Sequence, residues 1–206
     1  MKAILGLMLT KNEIQKALNA YAVDSWHKQE DLYTREQLSH LRHAAVLLPL
    51  FVHENEWHLL LTKRAETLEE HRGQVAFPGG RKEKQDHNLH DTALRETYEE
   101  IGVKPEDVHI FGHLGDLPIL TGYLVRPYVG QIPWPYAFEL ERDEVHSIFS
   151  IPITWLIEPE NHYVRYRNFA GRELPVIYFE NYAGYQLWGA SAEMVVALLS
   201  ALNLAF

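Results

Sequence analysis

At 206 residues, 47% hydrophobic and 23% charged, the chain suits one globular domain with a small appendage. No apolar run approaches the ~20 residues that span a bilayer, so an integral membrane protein is not expected. The net charge of −9 has the wrong sign for a polynucleotide partner, and the absence of cysteine removes disulfides, thiolate metal sites and cysteine nucleophiles together.

The apolar run Ile4–Leu9 lacks a small-x-small cleavage site, so no secretory signal is expected and the reading is cytoplasmic. Thr10-Lys11-Asn12-Glu13 is a capping box, which predicts a helix with Ala17, Leu18 and Tyr21 on its apolar face. Thr34-Arg35-Glu36-Gln37 repeats the signal for a short helix through His43, with residues 22 to 33 as a polar connection. Residues 1–43 are therefore read as an N-terminal helical extension and 44–206 as the main domain. The extension is expected to cover a sheet edge or to build a homodimer interface.

From Ala44 the texture changes. Ala44–Val52 and Trp57–Thr62 predict two strands joined at Glu54-Asn55-Glu56. Phe77-Pro78-Gly79-Gly80 breaks the pattern, and the chain reads as loop to Asp91. Thr92–Ile101 predicts a helix stopped by Gly102. Strands follow at Val108–Leu114, Tyr123–Gln131, Val145–Ile153, Pro175–Glu180 and Tyr185–Trp188, and Ser191–Leu202 closes the chain as an apolar helix capped by Ser191. Strands outnumber helices, so the class is α+β, a mixed sheet with helices packed on it.

Chemistry concentrates in Arg95-Glu96-Thr97-Tyr98-Glu99-Glu100-Ile101-Gly102. At ~100° per residue, Glu96, Glu99 and Glu100 share one helical face. Unit charges ~4 Å apart repel by ~4 kcal/mol near a protein surface, so the trio needs a cation. Hard oxygen ligands point to Mg²⁺ or Mn²⁺, which retain waters and substrate phosphates. Arg95 offers partial compensation and can fix the carboxylate rotamers.

Gly80, five residues, Asp86, eight residues, then Arg95-Glu96-x-x-Glu99-Glu100-x-Gly102 resembles the Nudix box, the signature of hydrolases that cleave nucleoside diphosphates linked to another group. The usual box has Glu at Asp86, one residue less before the arginine, and a bulky aliphatic at Thr97. The flanks Leu60-Leu61-Thr62-Lys63-Arg64-Ala65, Leu68, His71, Gly73-Gln74 and Phe77-Pro78-Gly79-Gly80 resemble the coenzyme A pyrophosphatase branch. So do Leu117-Pro118, Thr121-Gly122-Tyr123, Asp143-Glu144-Val145 and Trp188-Gly189-Ala190. Glu69 departs from that branch, which has an arginine there.

The resemblance implies a Nudix fold, with a mixed sheet sandwiched between helices. It implies metal-dependent hydrolysis of the diphosphate of coenzyme A or its derivatives to 3′,5′-ADP and 4′-phosphopantetheine. Glu96, Glu99, Glu100 and the Gly79 carbonyl are the expected ligands of Mg²⁺ or Mn²⁺. Glu99 or Glu144 is the expected base, with Glu139, Glu141 and Asp143 as alternatives in the same loop. Arg64, His71, Arg72, Gly80 and Arg81 are the expected substrate contacts, Arg64 and Arg72 being nearest for a 3′-phosphate. The alternatives are another nucleoside diphosphate substrate (ADP-ribose, NADH or a dinucleotide) and a non-catalytic nucleotide-sensing module. No nucleic acid or membrane partner is expected.

Overall fold

The computed structural model describes residues 9–30, 35–67, 73–169 and 171–204. Helices α1 (Lys11–Glu30) and α2 (Arg35–Ser39) precede strands β1 (Arg42–His53), β2 (Glu56–Arg64), β3 (Val75–Ala76) and β4 (Gly79–Arg81). Then come α3 (Leu89–Ile101), β5 (His109–His113), β6 (Leu117–Ile119), β7 (Tyr123–Gln131) and β8 (Val145–Pro152). A short α4 (Ile153–Leu156), the pair β9 (His162–Phe169) and β10 (Arg172–Phe179), and α5 (Gly189–Ala201) complete the described chain.

Strands β1 to β8 form one mixed sheet with the path β3-β2-β1-β7-β5, while β4 pairs with β1, β6 with β7 and β8 with β2. Among these pairs β1 and β7 run parallel, Ala45 facing Arg126, and the others are antiparallel. Strands β9 and β10 make a separate two-stranded sheet.

The alternation of β1 explains the layering. Ala44, Leu48 and Leu50 enter the large core shared with Ile14 and Leu18 of α1 and with Val195, Leu198 and Leu199 of α5. Ala45 and Leu47 face the other way, against Ala93 of α3 and Tyr128. Both faces are covered, which is why β1 reads as a continuous apolar run rather than an alternating one. The sheet thus lies between helices in an α+β architecture, as the sequence predicts.

The capping box forms: Glu13 N–H donates to Thr10 Oγ1 at 3.3 Å, and Thr10 N–H to Glu13 Oε2 at 2.8 Å. Helix α1 does not stop near Tyr21 but continues to Glu30, so part of the expected connection is helical. Helix α2 ends at Ser39 because β1 already begins at Arg42. The extension is built into the domain: Ile14 and Leu18 are buried, and Trp57 Nε1–H donates to the Leu9 carbonyl at 2.9 Å. Leu18→Ala is expected to cost about 2–3 kcal/mol, read by denaturant titration, because the helix can settle only partly into the void.

Other elements also differ from the sequence reading. Gly79–Arg81 is strand rather than loop, strand β9 occupies a stretch read as turn, and Tyr185–Trp188 makes only isolated bridges. The last helix starts at Gly189 with Trp188 as its cap, and the Ser191 hydroxyl donates instead to the Val75 carbonyl at 3.1 Å.

Candidate active site

Helix α3 is framed by local chemistry. The Asn88 side chain accepts the Asp91 N–H at 3.0 Å, and Gly102 closes the helix at φ 73° with its N–H on the Tyr98 carbonyl. A Cβ at Gly102 would also stand 2.9 Å from Glu139, so the positive φ and the close approach of the following loop both require glycine there. Thr97, buried where the usual box has an aliphatic, satisfies its hydroxyl on the Ala93 carbonyl at 2.6 Å.

Strand β4 brings Gly79 and Gly80 beneath this helix by pairing with Val46 and Ala45. The Glu96 carboxylate lies directly over Gly80: a Cβ there would be 2.5 Å from its Cδ. A Cβ on Gly79 would be 2.5 Å from the Ala45 carbonyl oxygen. The two glycines therefore separate in their expected effects. Gly80→Ala displaces only the far end of a side chain, leaving the melting temperature nearly unchanged while lowering turnover by about 10–100-fold. Gly79→Ala presses on backbone, costing about 1–3 kcal/mol of stability. Melting and turnover measured on both variants check the separation.

The three helix acids have different surroundings. Glu100 is 4% exposed. Burial, opposed by the Arg64 charge and reinforced by Glu96 and Glu144, pushes its carboxyl up to about 8. Glu96 is also raised, first by burial, with Arg95 pulling the other way and Glu99 and Glu144 adding to the rise. Glu99 stands at the solvent edge, its side chain 52% exposed.

Arg95 organises the rim. Its Nη1 donates to Glu96 Oε1 at 2.9 Å and to Glu99 Oε2 at 2.8 Å, so the guanidinium stands between two of the expected ligands. Its Nε and Nη2 hold Asp86 at 2.9 and 3.0 Å, and Nη2 also reaches the Arg81 carbonyl at 3.2 Å. Asp86 accepts further bonds from Thr92 Oγ1 and the Glu83 N–H. These partners, the Arg95 fork foremost, hold the Asp86 carboxyl far below the usual range. The sequence marks Asp86 only as a departure in the box. Its position nine residues before Arg95, at the end of a turn, was the available signal for this partnership.

The loop after β7 delivers the fourth acid. The Glu139 N–H donates to the Ile101 carbonyl and the Glu141 N–H to the Glu100 carbonyl, which ties the loop to the helix end. The Ala65 N–H then takes the Glu144 carbonyl at 2.8 Å, beside the pairing of Val145 with Arg64. Of the loop acids named from sequence, Glu144 is the one whose charge acts on both Glu96 and Glu100. Arg64 faces this group, and its Nε is buried without a hydrogen-bond partner among the described residues. The Arg81 side chain is instead 70% exposed, 3.9 Å from Glu83. His71, Arg72 and Glu69 lie outside the described residues.

The model of the NUDIX domain family matches residues 41–170. The chain belongs to the Nudix family. Among its relatives, the uncharacterized Nudix hydrolase NudL of Yersinia enterocolitica is 37% identical over 162 residues, covering 79% of this chain and 82% of the relative. The NudL of Cronobacter sakazakii is 38% identical, covering 75% and 79%. Among solved structures, the NUDIX domain of Shewanella oneidensis NrtR complexed with ADP ribose is similar at 17% identity and a TM-score of 0.43, covering 62% of this chain and 82% of that one. The chain is thus an enzyme of the Nudix hydrolase family.

Among the described residues, no three acidic or histidine side chains of this Nudix domain converge tightly enough to hold a metal ion as they stand. The donor chemistry nevertheless fits a hard divalent cation. Glu96, Glu100 and Glu144 act on one another electrostatically, and the missing Cβ at Gly80 lets the Glu96 carboxylate pack against that backbone.

Proposed function

We propose that this Nudix hydrolase cleaves the diphosphate bond of coenzyme A or a derivative, giving 3′,5′-ADP and 4′-phosphopantetheine, with Mg²⁺ or Mn²⁺ as cofactor. The observation that carries the reaction class is the Glu100 carboxyl, buried on one helical face with Glu96 and acted on by the Glu96 and Glu144 charges. In its charged form a carboxylate buried among like charges is costly, and a divalent cation among Glu96, Glu100 and Glu144 would offset that cost. Glu96 and Glu100 would hold the cation, with the Gly79 carbonyl and Glu99 as further donors. When bound, it would neutralise the non-bridging oxygens of the diphosphate and acidify water at neutral pH.

The chain's own residues supply the rest. Glu144 accepts the proton of the attacking water at its carboxylate, a role suited to an exposed acid on a loop anchored at both ends. Glu99 is less suited, since its carboxylate is engaged by Arg95. Arg95 fixes the rotamers of Glu96 and Glu99, and Asp86 fixes Arg95. The buried Arg64 Nε without a hydrogen-bond partner, beside Glu100, supports Arg64 as the residue that binds a diphosphate oxygen.

Support for the coenzyme A substrate comes from the flanking residues 60–65 and 73–80, which resemble that branch and here build the strand ends around the site. Glu69, standing where that branch has an arginine, favours a second reading in which the substrate is ADP-ribose, NADH or a dinucleotide. A substrate panel in Mg²⁺ or Mn²⁺, with products identified by mass, separates the two. Release of 3′,5′-ADP and 4′-phosphopantetheine from coenzyme A supports the first. A preference for ADP-ribose over both coenzyme A and dephospho-coenzyme A leaves only the wider hydrolase class.

A further inference from the structure

The small sheet β9–β10 carries a row of rings that the hydrolytic reading leaves unused. Tyr163 and Tyr178 lie 5.6 Å apart with planes 7° off parallel, and Tyr178 and Trp188 lie 5.7 Å apart at 5°. The period of two along β9 sets Tyr163, Arg165 and Arg167 on one face, where the register places Tyr178 opposite Tyr163. The Arg165 Cζ sits 4.8 Å from the Tyr163 centroid and 5.7 Å from that of Tyr178. The Arg167 Cζ sits 5.5 Å from Tyr178 and 5.4 Å from Trp188. Two guanidiniums are thus laid across the seams of a three-ring shelf.

Stacking holds a guanidinium in place by its face and leaves its N–H edge free, which is how an arginine is prepared for a phosphate fork. Fixing the side chain beforehand reduces the ordering cost when an anion arrives. Arg165 and Arg167 are exposed, and among the described residues neither forms an ion pair. That is notable in a chain with 28 acids against 19 basic residues, where an acid opposite either cation would relieve their mutual repulsion. The Tyr178 hydroxyl, buried beneath them, also lacks a hydrogen-bond partner among the described residues.

The segment 185–191 links the shelf to the strands β2, β3 and β8 beside Arg64. Trp188 caps α5, whose Ser191 holds the Val75 carbonyl, and Val75 pairs with Lys63 next to Arg64. Tyr185 stacks on Phe149 at 3.8 Å and shares a hydrogen bond with Ser147, which also faces Lys63.

We propose that Arg165 and Arg167 form an anion subsite for a phosphomonoester on the nucleotide half of the substrate. The proposal rests on the reading of the chain as a hydrolase of coenzyme A, whose 3′-phosphate is such a group. The test uses the full chain, with Arg165→Ala/Arg167→Ala and Arg165→Lys/Arg167→Lys. Calorimetric titration with 3′,5′-ADP, AMP and inorganic phosphate is combined with kinetics on coenzyme A and dephospho-coenzyme A. The double alanine variant is expected to weaken 3′,5′-ADP at least tenfold more than AMP. It should raise KM for coenzyme A at least tenfold more than for dephospho-coenzyme A, and the lysine pair should recover part of both effects.

Equal losses on both coenzymes with a lowered melting temperature would make the shelf a structural clasp and overturn the subsite. So would wild-type affinity for 3′,5′-ADP in the alanine variant, or inorganic phosphate binding as tightly as 3′,5′-ADP. If the wild type cleaves neither coenzyme, the substrate reading falls by itself. The 3′,5′-ADP titration then still decides the subsite.

Discussion

Glu100→Gln is expected to lower turnover by about three orders of magnitude while raising the melting temperature of the metal-free chain. The loss is what the proposed role of Glu100 as a ligand of the cation at the reacting diphosphate predicts, an effect of several kcal/mol. The gain follows from the same residue's surroundings. In the unfolded chain the Glu100 carboxyl titrates near its ordinary 4.5, whereas burial, opposed by Arg64 and reinforced by Glu96 and Glu144, pushes it up to about 8 in the fold. The folded chain therefore holds the proton more tightly. In chelator its stability carries no such penalty at acid pH, falls as pH rises from about 4.5 to about 8, and stays reduced above that. The accumulated penalty is on the order of a few kcal/mol. Glutamine keeps the shape without the charge, so the variant's stability should fall less steeply over that window, the remainder coming from the raised Glu96. Mg²⁺ should flatten the wild-type profile, because a bound cation displaces the proton. Melting curves from pH 5 to 9, with chelator and with Mg²⁺, check every part.

Asp86→Ala is expected to cost about 3–5 kcal/mol, since it leaves Arg95 with half its fork unanswered in a nearly buried setting. For a chain of this length that lowers the melting temperature by roughly 6–20 °C. The Asp86 carboxyl is held below its ordinary 3.8, chiefly by the Arg95 guanidinium, so its contribution is complete above that pH and is lost as pH falls further. Acid unfolding should begin at higher pH in the variant than in the wild type. Turnover should fall as well, because Arg95 no longer fixes Glu96 and Glu99. A variant as stable as the wild type would remove Asp86 from the architecture of the site.

The parts of this molecule legible in its sequence are those with a local cause. The Thr10–Glu13 box, strand Tyr123–Gln131 and the Gly102 stop are written in short-range patterns, and the structure reproduces them. The two-face burial of β1 was legible as an unbroken apolar run. Strand β6 is only three residues and exists by pairing with β7, so no period could announce it. Strand β9 reads as polar because Arg165 and Arg167 cover rings that come from Tyr163 of β9 itself, from Tyr178 of β10 and from Trp188. In the site, one-face spacing picked out Glu96, Glu99 and Glu100, but it could not show that Glu99 leans to solvent while Glu100 is buried. That division depends on β4 passing under the helix, a long-range pairing. The selection of Glu144 among the loop acids depends likewise on the Ala65 bond to its carbonyl.

The acidic centre itself is tested most directly by titrating the full chain with Mn²⁺ and following free ion by electron paramagnetic resonance, with wild type beside Glu100→Gln. Competition by Mg²⁺ should displace the bound Mn²⁺. The wild type is expected to bind Mn²⁺, and the variant to bind it about 100-fold more weakly. Wild-type Mn²⁺ affinity in a folded Glu100→Gln chain would contradict the placement of the cation between Glu96 and Glu100.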